Sequence, residues 1–338
     1  MNIQAYCTYD EIITQTAAWA QALDRASASA LPKADDYDQV IFTGCGSTYY
    51  LSLAAAALYQ ELTGRPARAV PGGELWLNPR VSLATGKTLL VAISRSGTTT
   101  ETLKAAERFR GDGRGRVVVI SNYREALSKL ADIEIIIENG QEQSVAQTRS
   151  FASMYVAAVA WCARMAGRGD LLASMALLPD AGQRLMSTYE TLARDLGKDL
   201  DFDRFYFLGS GIRYGLACEL NLKMKEMTLT HSEPFHFLEF RHGPMSMVNA
   251  HAVVVGLVSD TNRPHETRVL SEMRALGAEV VSVGESDAEV TFASGIPESV
   301  RGVLYLPVLQ LMAFHRSVAK GLNPDRPHNL TAVVKLDL

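Results

Sequence analysis

Two distant stretches of the chain share one pattern, and this repeat constrains the fold more than any other feature. Val40-Ile-Phe-Thr-Gly-Cys-Gly-Ser47 is answered by Phe205-Tyr-Phe-Leu-Gly-Ser-Gly-Ile212. In each, a short apolar run ends in Gly-x-Gly, and helix-like stretches follow that begin alike at Tyr50 and Tyr214. A short apolar run of this kind fits a strand buried on both faces, as in a parallel sheet. Further strand candidates are Leu89–Ile93, Val117–Ile120, Ile133–Ile137, Val253–Val258, Val280–Val283 and, more weakly, Val303–Leu306. Helix-like segments such as Tyr50–Leu62, Thr100–Phe109, Leu216–Leu229 and Glu266–Leu276 separate them. Alternating strands and helices predict an α/β fold with parallel sheets and helices on both faces. The repeat predicts that one such domain is duplicated, which 338 residues accommodate. We expect an N-terminal helical segment over 1–34, a first domain over 35–170 and a second over 195–338. A helix-rich stretch from Tyr155 to Gly197 joins the copies.

The strand at Leu89–Ile93 runs into Ser94-Arg-Ser-Gly-Thr-Thr-Thr100 before a helix starts at Glu101. Unpaired N–H groups and the positive dipole end at a helix start suit an anion. Several hydroxyl donors and one cation, Arg95, fit a single phosphate on a small molecule. The matching position of the second half reads Ser259-Asp-Thr-Asn262, so the halves have diverged at this loop. The Gly-x-Gly turns do not extend to a dinucleotide fingerprint, because Tyr49 stands where its third glycine belongs. No Gly-Lys-Ser/Thr phosphate loop is present either. A net charge of −4 gives no electrostatic case for nucleic acid. Cys7, Cys45, Cys162 and Cys218 show no ligand spacing, so we expect reduced thiols and no metal site. The N-terminus has no export signal, and the longest apolar stretch is shorter than the ~20 residues needed to cross a bilayer. The expectation is a soluble, cytoplasmic protein that uses no membrane.

Glu219-Leu-Asn-Leu-Lys-Met-Lys-Glu226 places Glu219, Lys223 and Glu226 on one side of a helix. By itself this pattern also fits a solvated face carrying a Glu–Lys pair. Phe237-Leu-Glu-Phe-Arg-His-Gly-Pro244 puts His242 in a turn, where a proton shuttle is feasible. His231, His236, His251, His265 and His315 read as structural histidines.

The paired glycine turns, the Ser94–Thr99 loop, Ser144-Val-Ala-Gln-Thr-Arg-Ser-Phe151, the Glu219–Glu226 helix and Arg241-His-Gly-Pro244 together resemble the sugar isomerase (SIS) family. The likeness is to its double-domain members: the isomerase half of glucosamine-6-phosphate synthase and the stand-alone amino-sugar-phosphate deaminases and isomerases. It runs from about Val40 to the C-terminus. The resemblance implies two tandem three-layer αβα sandwiches, each around a flavodoxin-like parallel sheet. It implies phosphate contacts at Gly46, Ser47, Thr48, Ser94, Arg95, Ser96 and Thr99, and sugar contacts at Val145 and Gln147. Glu226 then corresponds to the base that moves a proton between C1 and C2 of the open-chain sugar. His242 opens the ring and, in the synthase, reaches in from the neighbouring subunit, which implies a homodimer with shared sites. Glu219 and Lys223 support that helix, and no cofactor is required.

Two departures shape the expected activity. The first sugar domain starts near residue 35, so the glutaminase domain of the synthase is not expected. In the tail, Asn323-Pro-Asp-Arg-Pro-His-Asn-Leu-Thr-Ala332 puts alanine at the synthase's Schiff-base lysine, with Lys335 three residues on. The resemblance therefore favours conversion of glucosamine 6-phosphate to fructose 6-phosphate plus ammonia. Deglycation of fructosamine 6-phosphates, galactosamine 6-phosphate deamination and plain aldose–ketose isomerisation are alternatives. A non-catalytic sugar-phosphate sensor is the rival of another class.

Overall fold

The computed structural model describes residues 3–334 and Leu336. In chain order its regular elements begin with α1 (Cys7–Ile13), α2 (Gln15–Ala28), β1 (Gln39–Gly44), α3 (Ser47–Thr63) and β2 (Ala67–Pro71). Next come α4 (Gly72–Leu77), α5 (Pro79–Ser82), β3 (Thr88–Ser94), α6 (Thr100–Gly111), β4 (Val117–Ser121), β5 (Ile133–Ile136), α7 (Arg149–Met165) and α8 (Gly169–Ser174). The remainder is α9 (Leu178–Lys198), β6 (Arg204–Leu208), α10 (Ile212–Thr228), β7 (His231–Phe235), β8 (Ala252–Leu257), α11 (Arg263–Ala275), β9 (Glu279–Gly284), β10 (Val290–Thr291) and α12 (Pro307–Ala319).

These elements form two compact units. The first comprises Thr14–Glu142, Gln147–Ala176 and the chain beyond Leu330; the second comprises the chain up to Ile13, Gln143–Ala146 and Leu177–Leu330. The N-terminal segment is thus shared, with α1 in the second unit and α2 in the first. Each unit holds one five-stranded, fully parallel sheet, in the orders β2-β1-β3-β4-β5 and β7-β6-β8-β9-β10. Strand for strand the two orders are the same, the flavodoxin-like 2-1-3-4-5 arrangement. Both units are α/β sandwiches of the expected class.

The first sheet is apolar on both faces, as its sequence predicts, with every residue of β3 buried. One face packs Ile41, Leu90, Ala92, Val117 and Val119 against Leu75 of α4 and Ala105, Ala106 and Phe109 of α6. On the other, Phe42 meets Tyr59 of α3 and Trp161 of α7 at ring separations of 6.2 and 6.1 Å. In the second unit, Tyr206, Leu208, Val254 and Val280 bury against Val269, Leu270 and Met273 of α11.

The Gly-x-Gly turns have one physical basis in both units. A Cβ on Gly44 would lie 2.5 Å from Thr48 Oγ1, and one on Gly209 would lie 2.5 Å from the Arg213 carbonyl oxygen. The second glycine of each pair caps the following helix at positive φ, +56° at Gly46 and +57° at Gly211. L-residues pay a steric cost there, so both turns need glycine twice.

One expectation is corrected. Val303–Leu306 is a 3₁₀ turn (Gly302–Tyr305) and not a strand. Leu304 N–H and Leu306 N–H bond back to Arg301 and Val303 carbonyls, and Pro307 then opens α12. The edge position of that sheet is taken by the two-residue β10. Among the histidines read as structural, His315 is buried, whereas His231, His236, His251 and His265 are exposed. No helix among the described residues is long and apolar enough to cross a membrane.

Candidate functional site

In an open parallel sheet, ligands settle beyond the carboxyl ends of the strands, where the order reverses direction. In the first unit that point lies between β1 and β3, and the loops leaving those strands are the ones the sequence singles out. After β1, Ser47 and Thr48 open α3 and are buried. Thr48 Oγ1 accepts the Cys45 N–H at 2.9 Å and donates to the Cys45 carbonyl at 3.0 Å, which fixes the turn. After β3, Ser94 Oγ accepts the Gly97 N–H at 3.1 Å and Ser96 Oγ accepts the Thr98 N–H at 3.2 Å. Gly97 turns the chain at φ +65°. Thr99 then caps α6 without a side-chain bond.

Arg95 was the expected phosphate cation. Its guanidinium is buried 3.8 Å from Glu142 Oε2 and donates to the Ala332 carbonyl. Glu142 also accepts the Thr148 N–H and hydroxyl at 2.7 and 2.9 Å, so it fixes the start of α7. The tail continues across the α6 start, where Thr100 N–H donates to the Val334 carbonyl at 3.5 Å and Leu336 N–H to Thr100 Oγ1 at 3.1 Å. Gln147 Oε1 is buried with no hydrogen-bond partner among the described residues. The Cys45 thiol is pushed up chiefly by burial, so it is no ready nucleophile.

The second unit carries the charged helix. Lys223 Nζ lies 3.4 Å from Glu219 Oε1 and is ion-paired to Glu226. Glu219 and Lys223 side chains are 0% and 1% exposed, whereas Glu226 is 20% exposed. A solvated helix face is thereby excluded: the ammonium lies inside the fold, held between two carboxylates. Glu226 opens onto a cavity of about 250 Å³, walled by Met227, Leu229, Leu322, Asn323, Arg326 and His328. Leu229 ends α10 at φ +50°, an uncommon backbone for a branched apolar residue.

Val145 joins the same unit through its backbone. Its N–H donates to the Asp325 carbonyl at 3.0 Å, and Asp325 precedes the cavity residue Arg326. The Asp325 carboxylate caps α1, accepting the Cys7 and Thr8 N–H groups at 3.0 and 2.8 Å and the Thr8 hydroxyl at 2.7 Å. Buried Glu11 accepts the Gln143 and Ser144 N–H groups at 2.6 and 3.3 Å and the Ser144 hydroxyl. The Glu11 carboxylate and the Asp325 backbone carbonyl therefore fix the short segment that carries Val145.

His242 stands exposed in a turn, its N–H bonded to the Glu239 carbonyl, and is not among the residues lining the Glu226 cavity. Ala332 supplies a backbone carbonyl and no amine, and Lys335 lies outside the described residues. Sequence reasoning missed Glu11, Glu142, Asp325 and His328. Only Asp325, in the Asn-Pro-Asp turn, carried a local signal, that of a turn residue. Among the described residues no group of three His, Cys, Asp or Glu side chains is placed to hold a metal ion.

A family model for the SIS domain matches residues 35–164 and 201–291. The isomerizing glutamine–fructose-6-phosphate aminotransferase of Aeropyrum pernix is 30% identical over 321 residues, covering 88% of this chain and 51% of that protein. Its counterpart from Methanothermobacter thermautotrophicus is 27% identical over 314 residues, covering 89% and 52%. The chain thus spans about half the length of these relatives. Among solved structures, glucosamine-6-phosphate deaminase from Thermotoga maritima superposes with a TM-score of 0.82 at 24% identity, covering 97% of this chain and 99% of that one. Tagatose-6-phosphate ketose/aldose isomerase from Escherichia coli superposes at 0.85 with 22% identity, covering 96% of each. At these identities the structural likeness establishes the fold.

Proposed function

The chain belongs to the SIS-domain family, and from that premise we propose that it is a phosphosugar enzyme that deaminates an amino-sugar 6-phosphate by aldose–ketose proton transfer. The observation that carries the reading is the buried Glu219–Lys223–Glu226 array, whose one accessible carboxylate opens onto a cavity. Enclosing an ammonium and two carboxylates costs several kcal/mol per ion unless they are well paired. A fold has little structural reason to retain such an array, and a positioned base gives it a chemical one.

In this reading the hydroxyls and N–H groups of the Ser47–Thr48 and Ser94–Thr99 loops hold the phosphate, as their place at the sheet's reversal point favours. His242 assists ring opening. Glu226 takes the proton from C2 of the open-chain aldose and returns it at C1. The substrate's own C2 amine thereby becomes an imine, and water hydrolyses it. Glucosamine 6-phosphate plus water gives fructose 6-phosphate plus ammonia, with no oxidant or reductant. Alanine at position 332 is compatible, because the imine nitrogen comes from the substrate. Exposure of His242 outside its own cavity favours a homodimer in which each subunit lends this histidine to its partner.

The test is ammonia release from glucosamine 6-phosphate, followed with the wild type and Glu226→Gln. Loss of a positioned general base should lower the rate by about 10²–10⁴-fold. Absence of release by the wild type, or undiminished release by the variant, overturns the reading. Fructosamine 6-phosphates and tagatose 6-phosphate in the same panel distinguish deglycation and plain isomerisation.

A further inference from the structure

The second unit has its own sheet-reversal crevice, between β6 and β8, and its loops are built like those of the first. Gly209-Ser-Gly211 and the start of α10 correspond to Gly44-Cys-Gly46 and the start of α3. Ser259–Asn262, leading into α11, corresponds to the hydroxyl loop leading into α6. Where the first unit has Thr48, the second has Arg213, two residues into α10. This crevice therefore contains backbone N–H groups at a helix start and a guanidinium, which are the elements of an oxyanion site.

That crevice already holds an anion from the chain itself. Glu298 reaches in from the turn that begins at Pro297, and its Oε2 accepts the Asp260 N–H at 3.0 Å, the Thr261 N–H at 3.3 Å and the Thr261 hydroxyl at 3.4 Å. Its other oxygen is ion-paired with Arg213 Nη1. Arg213 Nη2 lies 3.3 Å from Glu266 Oε1, and Glu266 Oε2 accepts the Ser259 N–H at 2.6 Å. Arg213 is buried, and its Nε has no hydrogen-bond partner among the described residues, so the guanidinium retains donor capacity.

We infer that the second unit retains an oxyanion cradle and fills it with the Glu298 carboxylate, which stands in for a phosphate. A carboxylate offers two oxygens to two N–H groups, a hydroxyl and an arginine, much as a phosphate monoester does. The divergence of the two loops then follows: the first is left open to a ligand, and the second is closed by the chain's own anion. Removing the carboxylate should convert the second crevice into a binding site for inorganic phosphate.

The experiment is phosphate titration calorimetry on the wild type, Glu298→Ala and Glu298→Ala/Arg213→Gln. Glu298→Ala should bind one more phosphate per chain than the wild type, and the double variant should lose that increment. Because only the increment is read, the outcome is independent of what the first crevice binds. An unchanged stoichiometry overturns the inference, as does an extra phosphate that survives loss of Arg213. Should Glu298→Ala fail to fold, a Glu298→Gln and Arg213→Gln double-mutant cycle on thermal stability takes its place. Coupling between the two residues supports the filled cradle, and additivity overturns it.

Discussion

Lowering the pH from 7.5 to 5.5 should destabilise the second unit through one buried histidine. His315 lies on α12, which packs on α9 so closely that a Cβ on Gly197 would come 2.5 Å from the Met312 carbonyl oxygen and 3.0 Å from His315 Cβ. His315 is 2% exposed, and its Nε2 has no hydrogen-bond partner among the described residues. Burial, aided by Lys198 and Arg194 and opposed by Glu190 and Asp195, pushes its pKa down to about 4. The unfolded chain takes up a proton at about 6.5. A base depressed in the folded state contributes stability above its unfolded pKa, and this stability is lost as pH falls toward the folded value. Proton uptake by the unfolded state alone then removes about 1.4 kcal/mol between pH 7.5 and 5.5, and about 3 kcal/mol by pH 4. The first figure barely depends on the folded pKa, provided that value lies well below 5.5. In His315→Met no proton can bind, so the variant should gain about 1.4 kcal/mol on the wild type over that interval, or about 3–6 °C in Tm. Calorimetry is the suitable assay, because Trp19, Trp76 and Trp161 all lie in the first unit and tryptophan emission would miss the transition. Parallel pH profiles for the two proteins would refute the reasoning.

Two further outcomes are expected. Lys223→Met leaves buried carboxylate charge without its ammonium and should cost about 3–5 kcal/mol in urea unfolding of the second unit; a loss below about 1 kcal/mol would show that the array is solvated. If His242 serves the neighbouring subunit, mixing inactive Glu226→Gln and His242→Ala chains should restore activity at a minority of sites, and no recovery would indicate a self-contained site.

The strands that are buried on both faces were legible because burial on two sides demands an uninterrupted apolar run, as in Leu89–Ile93. The edge strands β2 and β7 were not legible. Ala67-Arg-Ala-Val-Pro71 and His231-Ser-Glu-Pro-Phe235 face solvent in part and contain proline, which an edge strand tolerates because one side of it bonds to no neighbour. The same limit applied to the site. Helical spacing placed Glu219, Lys223 and Glu226 on one side but could not distinguish a wet face from a buried array, because periodicity records direction and not depth. Arg95 read as an open cation, yet its partner Glu142 is brought to it only when α7 packs against the sheet.

By itself, the sequence determined the α/β class, the duplication, the two Gly-x-Gly turns and the hydroxyl loop after β3. Each of these is imposed by local sterics or by the periodicity of a single element. Tertiary structure alone decided which charges are buried, that Glu11 and Asp325 hold the Val145 segment, and that Glu298 occupies the second crevice. Those facts depend on residues tens or hundreds of positions apart meeting in a medium where water no longer screens them. Burial and pairing of that kind follow from the packing of whole elements, which no local pattern encodes.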